Sequence, residues 1–269
     1  MLTIRPSRGW AALNLRDLWT YRELLYFMVW RDIKVRYKQA VLGVAWAVLM
    51  PLINIVIFTF VFGVLFHQSQ GGVNYQLLSA AGLLPWGLFA GALGRCSLSL
   101  VGNTNLITKV YFPRLIIPIS SVLSGLVDFG ISFLIVLSLM LFYHVPLTWN
   151  MLWLLPLTLL VILTALAVGL WLSALNVQYR DVGHLVPFLV TTWMYASPVA
   201  YSAGLVQGRT RIVYGLNPMA GVIQGFRWAI MGGNPPDVLF MVSIFMVAVL
   251  FISGLFYFRR MERTFADTI

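Results

Sequence analysis

The chain has 269 residues and a formal net charge of +10; 60% of the residues are hydrophobic and 10% are charged. An average soluble domain has roughly 25% charged residues, so this composition excludes an ordinary soluble protein. The single cysteine excludes an internal disulfide and a cysteine metal cluster. The basic residues lie between apolar segments and form no separate basic domain. This favours contacts with anionic lipid over nucleic acid.

The first 43 residues predict a cytoplasmic segment, because many basic residues precede the first long apolar stretch. Within it, the apolar run 24–30 is flanked by charges, which predicts an amphipathic helix lying in the membrane interface. If residues 30–38 are helical, Arg31, Lys34 and Lys38 share one face. Asp32 can then pair with Arg36 on the same helix. Two interpretations of the basic face stay open: a phosphate ligand, or simple anchoring to anionic lipid.

Six long apolar segments predict six transmembrane helices, because about 20 residues of helix cross the hydrocarbon. The expected spans are about 44–66, 77–101, 115–142, 152–175, 185–203 and 238–258. Basic residues occur in the loops 102–114 and 176–184, which should therefore face inward, and are missing from the loops 67–76 and 143–151. The transmembrane domain thus covers residues 44–258. Residues 259–269 form a cytoplasmic tail, so both ends are expected inside.

The segment 209–231 contains a helix that is too short for a further span. Asn217 and Pro218 predict a helix start, as N-cap and first helical residue, and Gly232 with Gly233 predicts its end. A helix of about 14 residues covers roughly 21 Å. We therefore expect a re-entrant or interfacial element on the outer side, between spans five and six.

The sequence offers no catalytic constellation. None of its three lysines follows a glycine, so the P-loop of ATPases is missing, and the three histidines are scattered. Asp128 is the one carboxylate deep in an expected span and should face the protein interior. Helix rise places Arg95 roughly 10 Å from it in depth, so we expect no direct pair. No catalytic residue and no metal or cofactor site are expected in this chain.

Five blocks in order along the chain carry a family resemblance. They are Trp30–Gln39 continued by 42–46 and 50–51, then 105–114, 176–182, 197–201, and Asn217–Pro218 with Arg227. Together they resemble the ABC-2-type permeases, and more narrowly the exporters of O-antigen and teichoic acid. The resemblance implies a half-transporter, in which two copies form the pore and two copies of a separate ATPase bind ATP and Mg. The implied cargo is a long glycan on an undecaprenyl-diphosphate lipid.

The resemblance also implies roles for individual residues. The inward loops should contact the ATPase, with residues 103–111 forming a short helix capped by Asn103 or Thr104. The expected contact residues are Asn103, Asn105, Lys109, Tyr111, Arg114, Tyr179, Arg180 and Asp181. Arg31, Lys34 and Lys38 would bind the lipid diphosphate where the cargo enters.

Aromatic faces suit a path for a neutral or weakly charged glycan, because they stack on sugar rings without trapping the polymer. The candidates are Trp86, Phe89, Trp193, Tyr195 and Tyr201, for each of which a lipid-facing or interfacial position is the alternative. The favoured function is the permease subunit of an O-antigen exporter in the inner membrane. The alternatives are an ABC-2 exporter of teichoic acid, capsule, a small lipid or a drug, and a membrane enzyme of glycan assembly.

Overall fold

A computed structural model of the chain describes residues 15–38, 43–65, 74–201, 214–233, 235–262 and 265. Within these ranges the secondary structure is helical and no strand occurs, which confirms the expected all-α class. The helices are α1 (Leu15–Thr20), α2 (Arg22–Lys38), α3 (Gly43–Phe58), α4 (Tyr75–Gly102), α5 (Thr104–Lys109), α6 (Ile116–Leu123), α7 (Leu126–Phe142), α8 (Leu154–Gln178), α9 (Val182–Tyr195), α10 (Pro218–Met231) and α11 (Val238–Met261). A π-helical segment, Thr59–Leu65, continues α3, and a 3-10 turn, Trp149–Trp153, precedes α8.

Five helical segments of the described chain are long and apolar enough to cross a membrane. They are Ala45–Gly63, Tyr75–Gly102, Ile116–Phe142, Trp149–Gln178 and Phe240–Met261.

The remaining expected span, 185–203, differs from its counterpart in the structure. Helix α9 has 14 residues and ends at Tyr195, before a turn that contains Pro198. At 1.5 Å per residue it covers about 21 Å, less than the hydrocarbon thickness. The physical reason is Pro198, because proline lacks an N–H and disfavours helical backbone at the residue before it.

Helices α4 and α8 form the centre of the fold. They pack against each other more extensively than any other pair, and α8 also packs along α11. Close approach depends on glycine: a Cβ at Gly169 in α8 would lie 2.5 Å from the sulfur of Cys96 in α4. Likewise, a Cβ at Gly254 in α11 would lie 2.6 Å from the carbonyl oxygen of Ala167. Small residues at helix contacts are typical of membrane bundles, in which van der Waals packing holds helices together.

The short helix expected after residue 217 is present as α10, with 14 residues. The side chain of Asn217 accepts a hydrogen bond of 3.0 Å from the backbone N–H of Met219, which confirms the N-cap. Gly232 and Gly233 end the helix with φ values of 75° and 92°, which L-residues rarely adopt. Most of α10 is buried against α4, α8 and α11.

A compact apolar cluster, here called the end cluster, gathers side chains from helix ends on one side of the bundle. It joins α2, the last turns of α4, α8 and α11, and the segment from α5 to α6. Its buried members are Met28, Leu100, Ile107, Phe112, Leu115, Ile116, Ile117, Leu170, Ala174, Val177, Phe258 and Phe265. This cluster links α2 to both loops that were expected to face inward.

Candidate functional site

The short helix expected in the loop after α4 is present as α5, but its predicted cap is wrong. The side chain of Asn103 turns back, donating a 2.8 Å hydrogen bond to the carbonyl of Ser99 and accepting one of 2.9 Å from Arg31. The hydroxyl of Thr104 donates to the carbonyl of Val101 at 2.8 Å. Neither side chain caps α5, because α4 and α2 supply them with other partners.

Most residues expected to contact an ATPase are exposed. Tyr111 is 82% exposed and Tyr179 is 58% exposed. We call the exposed members of this predicted set the loop surface; they are Asn105, Lys109, Tyr111, Tyr179, Arg180 and Asp181. The structure thus leaves a polar and aromatic surface on α5 and on the turn between α8 and α9.

Asn103 and Arg114 differ from the loop surface because both are partly buried and form hydrogen bonds with other elements of the fold. Asn103 binds α2 through Arg31. The guanidinium of Arg114 donates to the backbone carbonyl of Glu262, whose carboxylate accepts from the Arg114 backbone N–H at 3.3 Å. The loop after α5 is therefore attached to the end of α11.

The loop surface rests on buried contacts. Ile107 of α5 and Phe112, which follows it, belong to the end cluster. On the other loop, the buried side chain of Asn176 donates to the carbonyl of Ser97 at 3.1 Å and accepts from the backbone N–H of Gly183 at 2.9 Å. Both loops are thus attached to the last turns of α4.

The basic face of α2 is only partly free. Arg31 forms an ion pair of 2.8 Å with Asp32 and also binds Asn103. Lys34 is exposed, with its ammonium 5.2 Å from the centre of the Trp30 ring, a cation–π distance. Lys38 is exposed as well. The prediction that Asp32 pairs with Arg36 is wrong, because Asp32 forms its ion pair with Arg31.

Arg36 instead reaches Asp128, the carboxylate inside the bundle. One carboxylate oxygen of Asp128 accepts from the guanidinium of Arg36 and the other accepts from the hydroxyl of Tyr37. Arg36 also donates to the hydroxyl of Ser124 at 3.2 Å. Burial and the hydrogen bond to Asp128 raise the pKa of Tyr37 to about 12, so the phenol stays protonated and donating at neutral pH.

Arg95 and Asp128 lie close together, so the expectation that they would not meet is wrong. A terminal guanidinium nitrogen of Arg95 is 3.7 Å from the carboxylate. The depth estimate treated 115–142 as one straight helix, whereas the chain turns at Ser124 and Gly125, between α6 and α7. The long Arg95 side chain covers the remaining distance.

Three of the aromatic candidates form a contact chain. The rings of Trp86 and Phe89 lie 5.3 Å apart, and that of Phe89 meets Trp193 edge-on at 5.1 Å. Phe89 has no exposed surface in the single chain. The indole N–H of Trp193 donates to the Asn217 side chain at 2.9 Å, so this chain of rings is joined to the start of α10. Tyr195 is 66% exposed.

Arg227 has a position that the sequence reasoning did not assign. It is buried in α10 and donates hydrogen bonds to the backbone carbonyls of Leu78, Tyr201 and Val199 at 3.3, 2.8 and 2.9 Å. Tyr201, the remaining aromatic candidate, is thus held through its backbone. The signal in the sequence is one arginine, the single charged residue of a mainly apolar helix. Arg227 fastens the turn after α9 to α4 and α10.

Comparison with known proteins assigns the whole architecture to one group. The profile of the ABC-2 type transporter family matches residues 23–231. The chain is 32% identical over 261 residues to the O-antigen export system permease protein RfbA of Myxococcus xanthus, covering 95% of this chain and 98% of that protein. It is 26% identical over 248 residues to an RfbA of Klebsiella pneumoniae, covering 92% and 95%. It is 23% identical to the polysialic acid transport protein KpsM of Escherichia coli over 248 residues, 86% of this chain and 91% of that one.

Proposed function

The chain belongs to the ABC-2 type transporter family, and we propose that it is the permease subunit of an ATP-driven exporter of a lipid-linked, O-antigen-type polysaccharide. The observation that carries this proposal is the match to an O-antigen permease at 32% identity along nearly the whole of both chains. The match includes the membrane helices and both loops of the loop surface. The aligned 261 residues cover 95% of this chain and 98% of the relative.

The proposed assembly is a homodimer of this chain with two copies of a nucleotide-binding ATPase. ATP and Mg would bind to the ATPase, because this sequence contains no P-loop lysine. Two features support a docked partner at the loop surface. Its tyrosines are exposed, and its polar residues stand on a buried base formed by the end cluster and Asn176. A surface of this kind can receive a rigid-body motion and pass it to α4.

The proposed location is the cytoplasmic membrane, with six spans and both ends inside. The basic residues that precede α3, and Arg259 and Arg260 in the last turn of α11, support this orientation. The proposed sixth crossing contains α9, which by itself covers about 21 Å. Arg209, Arg211 and Arg263, and most of the expected outer loop 67–76, lie outside the described residues.

The proposed cargo is a glycan on undecaprenyl diphosphate. Lys34 and Lys38 are exposed on α2 and available to a phosphate group at the membrane surface. Arg31 would orient the helix through Asn103 and leave phosphate binding to the two lysines. For the glycan itself, Tyr195 offers an exposed aromatic face, and Trp86 contributes to the wall of an internal cavity.

A second candidate is an exporter of another polysaccharide, such as a capsule. It is favoured by the similarity to a polysialic acid transport protein over 86% of this chain. The identity of 23% is lower than the 32% to the O-antigen permease, so O-antigen is the first choice.

The test is a deletion of this chain in its own host, followed by fractionation of lipid-linked glycans. We expect undecaprenyl-linked polysaccharide to accumulate on the cytoplasmic side and to disappear from the cell surface. Restoring the wild-type chain should reverse both effects. The nature of the accumulated glycan separates O-antigen from capsule. Normal surface glycan in the deletion strain would rule out the proposal.

A further inference from the structure

A cavity of about 420 Å³ lies between α3, α4 and α7. Its walls are mainly apolar, with Ile55 and Phe58 from α3, Leu84 and Leu88 from α4, and Val136 from α7. A volume of this size falls in the range of roughly 300–1,000 Å³ that is typical of ligand pockets. The cavity follows α4 over about 22 Å of helix rise, from Ala80 to Arg95.

The polar groups of this cavity are concentrated toward the end that carries Arg95. Asp128 lies beside Arg95, and Ser132 lies one helical turn further along α7. Asn54 of α3 is the remaining polar wall residue apart from these. The far end, near Ala80 and Met194, is lined by apolar residues. A long apolar cavity with a charged end matches an amphiphile and offers few hydrogen-bond partners to a sugar polymer.

Arg95 is the cation at that end with unused hydrogen-bonding capacity. In the described part of the chain, its hydrogen bond is from Nε to the carbonyl of Ser121, at 3.2 Å. Its contact to Asp128, at 3.7 Å, is too long for a hydrogen bond. Asp128 is already satisfied by Arg36 and Tyr37. Two guanidinium groups therefore share one carboxylate, and one positive charge remains to attract an anion.

The local backbone leaves room for this guanidinium through two glycines. A Cβ at Gly91 would lie 3.1 Å from one terminal nitrogen of Arg95, and a Cβ at Gly125 would lie 2.1 Å from the other. Gly91 belongs to α4 and Gly125 to the turn between α6 and α7. The guanidinium is thus held between two helices at the wall of the cavity, so that it can act as a fixed anion-binding group.

We propose that this cavity binds a polyprenyl phosphate lipid, with Arg95 on a phosphate oxygen and the first isoprene units between α3, α4 and α7. The proposal rests on the proposed function, since it places the lipid part of the cargo in a defined site. A cavity of this volume accommodates part of a single hydrocarbon chain better than the paired chains of a phospholipid. The phosphate would lie next to α2, where Lys34 and Lys38 can take the cargo first.

The experiment measures binding of radiolabelled undecaprenyl diphosphate to the purified full chain in phosphatidylcholine nanodiscs. Gly87 lines the cavity and a Cβ there meets no atom within 4 Å, so Gly87→Leu extends into the cavity without disturbing the packing. The matched control is Gly94→Leu on the same helix. A Cβ at Gly94 also meets no atom within 4 Å, but Gly94 does not line the cavity. Arg95→Gln removes the charge, and Arg95→Lys keeps it.

We expect Gly87→Leu and Arg95→Gln to weaken binding at least tenfold. The affinities of Gly94→Leu and Arg95→Lys should stay within about threefold of the wild type. This difference in binding free energy is less than the 1.4 kcal/mol that corresponds to a tenfold change. Binding of uncharged undecaprenol should respond to Gly87→Leu but not to Arg95→Gln. Thermal unfolding checks that each variant folds. If Arg95→Gln does not fold, the comparison of Gly87→Leu with Gly94→Leu tests the site.

Three results would overturn the site. The first is that Gly87→Leu binds undecaprenyl diphosphate with wild-type affinity. The second is that Arg95→Gln loses affinity equally for undecaprenyl diphosphate and for undecaprenol. The last is competition by phosphatidylglycerol as strong as by undecaprenyl diphosphate, which would make the cavity a site for bulk lipid. None of these results tests the proposed function, which fails if deletion of the chain leaves export intact.

Discussion

The side-chain amide of Asn176 donates a 3.1 Å hydrogen bond to the backbone carbonyl of Ser97, and so joins the end of α8 to α4. Its oxygen accepts from the N–H of Gly183 in the first turn of α9. This buried amide therefore connects three helices around the loop that carries Tyr179, Arg180 and Asp181. We therefore expect a partner that pulls on this loop to move α4 through Asn176.

Replacing Asn176 by Ala should lower the thermal stability of the purified chain and weaken coupling. The change removes both hydrogen bonds of the buried Asn176 amide, each worth about 0.5–1.5 kcal/mol, and leaves the N–H of Gly183 with its longer bond of 3.3 Å to the carbonyl of Arg180. Asn176→Asp should cost more, because it places a carboxylate against the Ser97 carbonyl. The exposed Asn105→Ala is the control and should unfold at the wild-type temperature. Equal unfolding temperatures for the 105 and 176 variants would contradict this role.

Removing Asp128 should destabilise the chain more than removing Arg36. In Arg36→Gln the carboxylate keeps Tyr37 and has Arg95 at 3.7 Å. In Asp128→Asn two arginines remain together without a counter-ion, which is unfavourable in a medium of low dielectric constant. The double variant should recover part of the loss, so that a double-mutant cycle gives a non-additive energy. Additive changes in the unfolding midpoint would show that the two residues act independently.

Lys109→Ala and Arg180→Asp should leave the chain folded in the membrane while separating ATP hydrolysis from export. Both side chains are exposed, so their loss costs little stability. Cysteines at exposed positions 105 and 179 should crosslink to the partner ATPase, whereas one at the exposed position 147, between α7 and α8, should not. Crosslinks from position 147 alone would place the partner on the other side of the bundle.

Replacing both Lys34 and Lys38 by Gln should slow glycan export without changing fold stability. The loss of the stacking contact between Lys34 and Trp30, about 0.5–1 kcal/mol, opposes the relief of like-charge repulsion between the two lysines. Each cation near the membrane surface contributes about 1 kcal/mol to the binding of anionic groups there. Export is measured as the rate at which glycan appears on the cell surface.

The control for this pair is Arg22→Gln, which removes an exposed charge from the first turn of the same helix. Specific phosphate binding predicts normal export in Arg22→Gln. Equal slowing by both changes would favour general anchoring of α2 to anionic lipid.

Local chemistry made some features predictable from the sequence. Asn217, Pro218, Gly232 and Gly233 define α10 because caps and breakers act within one turn of the chain. The same capping rule gave a wrong role to Asn103, because its side chain accepts a hydrogen bond from Arg31, 72 residues away in sequence.

Long-range pairing explains the other differences. Arg36 met Asp128 rather than Asp32, although Asp32 is a neighbour on the same helix face. Only the folded chain shows that α2 lies against the turn between α6 and α7. Helical periodicity describes which residues share a face, but it does not describe which distant element covers that face.

We propose that this chain forms the membrane path of an ATP-driven exporter of a lipid-linked glycan. The most direct measurement uses vesicles that contain this chain and its ATPase, with fluorescent undecaprenyl-linked polysaccharide in the leaflet that faces the ATPase. We predict that ATP makes the glycan inaccessible to an added glycosidase, and that vesicles with either subunit alone show no such protection. Glycan that stays fully accessible with ATP and both subunits present, or ATP hydrolysis by the isolated chain, would contradict the account.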